Sequence, residues 1–300
     1  MYTVYASDQG HSSIEKAALL AGFGREHLRL IPTDGEHALR LDLLAQSIER
    51  DQAAGLVPCA VVACIGTTGT MAIDPLAGIA RLAQQHGLWL HVDAAMAGTA
   101  MVLPECRPHW EGVEQADSLV FNPHKWMGVG FDCSAYFVRD PQHLVRVMST
   151  NPSYLRTAQD GEVKNYRDWH VQLGRRFRAL KIWFYLQDVG AEGLRERLRR
   201  DLANAQWLRA QVAATPDWEV VAPVRFQTVC IRHLLPGLDE AALARHNLGI
   251  AERINRGGAA YLTPSLLKGQ QMLRVSIGAE RTERAQVEAL WTALRAAALQ

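Results

Sequence analysis

Short apolar runs and amphipathic stretches alternate along the chain up to about residue 165. Tyr2-Thr3-Val4-Tyr5, Cys59 to Ile65, Leu88 to Asp93 and Ser118 to Phe121 read as strands, each followed by small or turn-forming residues. Between them, Ser12 with Glu15 has the spacing of a capping box opening a helix. Asp74-Pro75 supplies a cap and a first-turn proline for the next helix, which Gly87 should stop. Alternation of this kind predicts a mostly parallel α/β sheet with covering helices. The stretch from Met148 to Asp168 has no sustained apolar period and is long for a loop in a compact domain, a length often found in lids.

Beyond the loop, helical patterns cover about 170–188 and 191–214. Strand candidates at Trp218–Val221, Val229–His233 and Met272–Ile277 then surround helices near 239–256 and 281–298. The pattern divides the chain into a large unit over 1–180 and a smaller C-terminal α/β unit over 181–300. Composition narrows the function classes. Hydrophobic residues make up 48%, and 32 basic side chains balance 31 acidic ones, so neither nucleic acid nor an anionic membrane is an expected partner. The arginines at 195, 197, 199 and 200 alternate with Glu192, Glu196 and Asp201, as on a solvated helix face. The five cysteines form no CxxC pair, which argues against metal and against a disulfide framework. No apolar run is long enough to span a membrane, and the cytoplasm is the expected location.

The candidate chemistry lies at the ends of two strands. Asn122-Pro123-His124-Lys125-Trp126 sets a lysine just after the strand Ser118 to Phe121, and Asp93 ends the strand before it. An unpaired acid at the end of a buried strand is costly. In an open α/β sheet the carboxyl ends of the strands form the ligand crevice, so Asp93 and Lys125 can face one pocket. Pyridoxal phosphate requires this pair: a lysine to hold its aldehyde as a Schiff base and an acid to keep its ring nitrogen protonated. Ala95 would let a flat ring lie close to the backbone. Gly66-Thr67-Thr68-Gly69 follows an apolar run, but it has neither the lysine of a P-loop nor the spacing of a dinucleotide fingerprint.

These strings have company. Ser7-Asp8-Gln9-Gly10-His11-Ser12-Ser13, Gly66-Thr67-Thr68, His91-Val92-Asp93-Ala94-Ala95, Asn122 to Trp126, Phe131-Asp132-Cys133-Ser134 and Leu173-Gly174-Arg175-Arg176-Phe177-Arg178 occur in one order. In them the chain resembles the group II pyridoxal-phosphate decarboxylases, most closely the aromatic-L-amino-acid decarboxylases. The resemblance implies the aspartate-aminotransferase-like fold, PLP fold type I, and a homodimer in the full-length family. It makes Lys125 the Schiff-base lysine, Asp93 the partner of the ring nitrogen and His11 the imidazole stacked opposite Ala95. Thr68, Asn122 and His124 become cofactor contacts. Tyr154, in Asn151-Pro152-Ser153-Tyr154-Leu155, matches the tyrosine of the family's mobile catalytic loop, which protonates the substrate carbon after carbon dioxide leaves. Related aldehyde synthases carry Phe at that position. Gly174 matches a position where glycine accompanies indole substrates in related plant enzymes. The implied substrate is a small-molecule aromatic L-amino acid, converted to its amine.

One departure accompanies the resemblance. Family members carry a substantial stretch before the string containing His11: a helical segment locking two subunits together, part of the aromatic pocket, and a small-residue turn for the cofactor phosphate. Here the string follows the first strand at once. Losing two charge-assisted hydrogen bonds to the phosphate, at roughly 1.5–3 kcal/mol each, would lower cofactor affinity by roughly two to four orders of magnitude. Two rival expectations therefore stand beside decarboxylation. One is a non-catalytic fragment that binds a partner chain. The other is an aminotransferase on the same fold, for which Arg274 is the candidate carboxylate clamp.

Overall fold

In a computed structural model the described residues are 1–150, 162–258 and 260–300. The first half builds a six-stranded sheet from β1 (Tyr2–Ser7), β2 (Leu28–Ile31), β3 (Val57–Cys64), β4 (Trp89–Asp93), β5 (Ser118–Phe121) and β6 (Ala135–Val138), in the order β2-β1-β3-β4-β5-β6. β1 to β5 run parallel, and β6 closes one edge antiparallel to β5. Parallel neighbours need crossovers. These include α1 (Ser13–Leu20), α2 (Leu41–Ala53) and α3 (Leu76–His86).

Period-two alternation sorts the two faces of this sheet. Tyr5, Val61, Ala63, Leu90 and Val92 point into a core shared with Leu44 and Ile48 of α2 and Ile79, Ala80 and Ala83 of α3. The opposite face carries Val4, Ala60, Val62, Cys64, His91, Asp93 and Val120, with α1 above it. The predicted stop of α3 is observed, with Gly87 in the left-handed conformation at φ 68°. Both predicted helix starts differ from expectation. Ser12 makes no side-chain cap, and Glu15 pairs with Arg25 instead. Asp74 does not cap α3, because its two oxygens accept the amides of Leu39 and Cys64 at 2.8 and 2.7 Å. Competing tertiary partners won in both places.

α4 (Gln142–Met148) precedes the 151–161 segment, and a long helix, α5 (Ala179–Ala213), follows it. α5 begins later than predicted: Val171, Leu173 and Phe177 are exposed, so their spacing buries no face. The anticipated break is present, with Gly190 at φ 68°, ψ 172° interrupting α5. The second sheet is antiparallel, in the order β7 (Trp218–Val220), β8 (Thr228–His233), β10 (Gln270–Ser276), β9 (Thr263–Leu267). The rest of α5, α6 (Glu240–Gly257) and α7 (Arg284–Ala298) bury a separate core on it, including Leu208, Ile231, Ile254, Leu273 and Leu294.

Candidate active site

Parallel strands send all their carboxyl ends to one edge of the sheet, and the polar candidates collect there. His11 follows β1, Thr68 lies in the turn after β3, Asp93 ends β4, and Asn122 and Lys125 follow β5. Asp93 sits in register with Cys64 on one side and Val120 on the other. His11, Thr68, Asp93, Ala95, Asn122 and Lys125 all line one cavity of about 580 Å³, whose apolar walls include Ile14, Ala17, Val62 and Val120.

Local hydrogen bonds fix how these groups are presented. The Ala95 amide donates to Asp93 Oδ1 at 3.0 Å, and the other carboxylate oxygen makes no hydrogen bond among the described residues. The Asn122 amide donates to the Ala95 carbonyl, and the Lys125 amide to the Asn122 carbonyl, so the acid and the lysine share one chain of contacts. Asn122 Oδ1 is buried without a hydrogen-bond partner among the described residues. His11 is exposed at the cavity rim, where its Nδ1 accepts the Ser13 amide at 3.2 Å. That bond leaves the proton of the neutral ring on Nε2.

Two expected contacts are placed elsewhere. His124 does not line the cavity; its Nδ1 lies against the Cys133 backbone, 2.6 Å from the carbonyl oxygen and 3.0 Å from the amide nitrogen, and its ring meets Phe131 edge-on. It secures the Phe131–Ser134 loop instead. Gly174 is exposed, and a Cβ there would meet nothing within 4 Å, so it forms no part of the cavity wall. Its neighbours serve as staples: Arg176 and Arg178 both pair with Asp132, and the Arg178 guanidinium holds the Asp132 carboxyl down at about 2. Arg274 lies on β10 opposite Cys230 and is not on the cavity wall. Tyr154 lies outside the described residues.

His91 stands two residues before Asp93 and therefore on the same face of β4, a position that residue type alone does not mark as functional. The Trp89 indole donates to Ser118 Oγ at 2.9 Å, and Ser118 Oγ lies 2.8 Å from His91 Nδ1. Ser118 is buried, and donating its hydroxyl proton to Nδ1 satisfies it in this pair of contacts, leaving the His91 proton on Nε2. Burial pushes the His91 pKa down, partly offset by the charge of Asp93, so the ring is neutral at pH 7. Cys64, paired with Asp93, is held protonated by burial and by the carboxylates of Asp74 and Asp93.

A lysine and a backbone-anchored carboxylate face one cavity, a pairing whose chemistry suits a ring that carries an aldehyde and a basic nitrogen. The unpaired Asn122 oxygen gives a donor on such a ring a place to bind, and Ala95 leaves space for its face. Residues 2–234 match the sequence model of the pyridoxal-dependent decarboxylase conserved domain, and the chain belongs to that family. It is 41% identical over 293 residues to the aromatic-L-amino-acid decarboxylase of Sus scrofa, covering 97% of this chain and 58% of that one. Identity to a phenylacetaldehyde synthase of Arabidopsis thaliana is 40% over 293 residues, covering 96% and 60%. The crystal structure of Oryza sativa TDC with PLP and tryptamine superposes with a TM-score of 0.96 at 37% identity, over 99% of this chain and 62% of that one. The chain thus spans about 60% of the length of such curated relatives.

Proposed function

We propose that this site carries out pyridoxal-phosphate-dependent decarboxylation of an aromatic L-amino acid, giving the amine and carbon dioxide. The observation that carries the reading is the delivery of Lys125 and Asp93 to one cavity from adjacent parallel strands. Names of relatives support the substrate class: a Catharanthus roseus tryptophan decarboxylase, solved in complex with L-tryptophan, superposes with a TM-score of 0.90 at 34% identity, covering 98% of this chain and 62% of that one. Pyridoxal phosphate, when bound, supplies the electron sink for the charge left on the substrate carbon as carbon dioxide departs.

In this reading Lys125 Nζ would hold the cofactor at its aldehyde carbon. Asp93, oriented by the Ala95 amide, would accept the ring N–H and favour its protonated form. A carboxylate in a half-buried wall does this at low cost, because one oxygen is already satisfied. His11 would cover the ring face opposite Ala95, and Thr68 and Asn122 would supply polar contacts at the rim and wall. Tyr154 is the proposed donor of the proton that finishes the amine, an acid contribution worth about 10²–10⁴ in rate. The indole preference tied to Gly174 has no support from its exposed position, so the ring is left as aromatic without further choice.

We also propose a cytoplasmic homodimer as the working form. Family resemblance supports it, as do Tyr136 and Phe137 on β6, which are 49% and 57% exposed and leave apolar surface for a partner. Among the described residues no helix is long and apolar enough to cross a membrane.

The test is a titration of the purified chain with pyridoxal phosphate, followed by borohydride reduction and peptide mapping. Label concentrated on Lys125, with amine formed from tryptophan, tyrosine, dopa or phenylalanine, is the expected result. Label scattered over exposed lysines would overturn the reading for this chain. Tyr154→Phe should divert product from amine to aldehyde, and unchanged amine yield and rate would remove the role given to Tyr154.

A further inference from the structure

Lys125 stands on a tight turn, and the residue after it is gripped from a distant helix. Trp126 is 1% exposed. Its indole Nε1 donates to Asp201 Oδ2 at 2.9 Å, and its carbonyl accepts from an Arg197 terminal nitrogen at 2.5 Å. Arg197 and Asp201 are four residues apart on α5 and form an ion pair at 3.5 Å, with side chains 7% and 0% exposed. The other terminal nitrogen of Arg197 reaches the Gly278 carbonyl at 3.4 Å, in the segment after β10. Gly278 itself lies against Trp126, where a Cβ would come within 3.1 Å of the indole Cδ1. Three parts of the molecule therefore meet on one residue: the lysine turn, α5 and the second sheet.

Stability alone is a weak reason for such an arrangement. Two charges taken out of water recover their hydration only with excellent geometry, and apolar side chains of the same volume often stabilise as well or better. Here the satisfaction is incomplete: Asp201 Oδ1 and Arg197 Nε are buried without hydrogen-bond partners among the described residues. Burial pushes the Asp201 carboxyl pKa up, while the Trp126 N–H and the Arg197 charge pull it back. What the pair does supply is direction. It holds Trp126 at both its side chain and its carbonyl, and that leaves the preceding Cα little freedom to rotate.

We propose that Arg197 and Asp201 are positioning residues for Lys125: they fix Trp126, and through it the point in the cavity where the lysine amine is presented, so that this presentation depends on how the second sheet is seated. The inference rests on Lys125 being the covalent lysine. A misplacement of about 1 Å at a reacting atom can cost about 10²-fold, so a modest loosening of the turn is measurable.

Four chains test it: the parent, Asp201→Leu, Asp201→Asn and Trp126→Phe. In each, without cofactor, lysines are labelled with limiting acetic anhydride, and the extent at Lys125 is compared by mass spectrometry with that at exposed Lys16 and Lys164. Separately, capture of pyridoxal phosphate is followed in time by borohydride trapping. Asp201→Leu should slow capture about tenfold and shift the Lys125 acetylation ratio, Trp126→Phe should do so less, and Asp201→Asn should stay near the parent because its side-chain oxygen still accepts the indole N–H. Identical Lys125 ratios and capture rates in all four, with only denaturation midpoints moving, would make the pair purely structural and overturn the proposal. Should Asp201→Leu fail to fold, Trp126→Phe decides, since it keeps the ion pair and most of the ring. Failure of the parent to capture the cofactor on Lys125 would sink the functional reading, while the acetylation series would still report on the clamp.

Discussion

The two sheets of this molecule bury similar side chains and put their polar groups to different use. In the parallel sheet, five strands end at one edge, so His11, Thr68, Asp93, Asn122 and Lys125 converge on a cavity although up to 114 residues separate them (125 minus 11). In the antiparallel sheet neighbouring strands end at opposite edges, and no comparable convergence occurs among the described residues. Buried polar groups there serve the fold. Arg232 pairs with Glu219 and Glu240, and Asn247 clasps the His233 backbone through both its amide and carbonyl groups. β8 is buried at all six positions, whereas β5 and β6 are largely half-exposed. Topology decides which buried polar groups are available to a ligand.

Substitution at the acid should show this contrast most strongly. Asp93→Asn keeps an oxygen for the Ala95 amide, so the fold should hold, but it removes the charge facing the ring nitrogen. The rate of amine formation is expected to fall about 10²–10³-fold, as when one preorganised electrostatic partner is lost. Steady-state kinetics of the unreduced chain would check it, with borohydride mapping of a separate sample showing that Lys125 still captures the cofactor; an unchanged rate would break the assignment of the parallel edge as the reacting one.

A smaller effect, on stability, should appear at Asp74 behind the same edge. Burial pushes its carboxyl up to about 7, against the two amide donors of Cys64 and Leu39. A folded pKa above the unfolded value means that the protonated form is favoured in the fold. Its contribution is therefore full below about pH 4 and is lost as pH rises through 7, by on the order of a few kcal/mol. Urea midpoints of the parent should fall between pH 5 and pH 8, and Asp74→Asn should flatten that slope even though its amide can accept from only one of the two donors. Parallel slopes in the two chains would show that Asp74 does not titrate there.

Legibility in the sequence followed how local each cause was. β1, β3, β4 and β5 could be read because apolar runs of the right length end in turn residues, and Gly87 announced a stop through its own backbone freedom. β2, β6 and β9 went unread: they are edge strands with weak patterns, and their pairing partners define them. At the site, residue type and strand-end position sufficed to place Lys125 and Asp93 on one cavity. They did not give the position of His124, whose ring meets Phe131 beside the Cys133 backbone and does not line that cavity. Asp74 looked like a cap because the residues it binds, Leu39 and Cys64, are 35 and 10 positions away. Asp201 and Arg197, expected on a solvated helix face, are buried instead, because Asp201 meets the Trp126 indole 75 positions away, a pairing with no local signal.

The smallest predicted effect belongs to the antiparallel core and is the sharper test of the comparison. Ile231 is fully buried at the centre of β8, in register with Leu273. Ile231→Val removes one methylene and should cost about 0.5–1.5 kcal/mol, read as a lower urea midpoint. Because Ile231 touches that core and not Trp126 or Gly278, capture of pyridoxal phosphate on Lys125 should keep the parent rate under conditions where both chains are folded. A capture rate that fell with stability would mean the second sheet acts on the lysine through its whole core, and the two sheets would then be one functional unit instead of a site and its support.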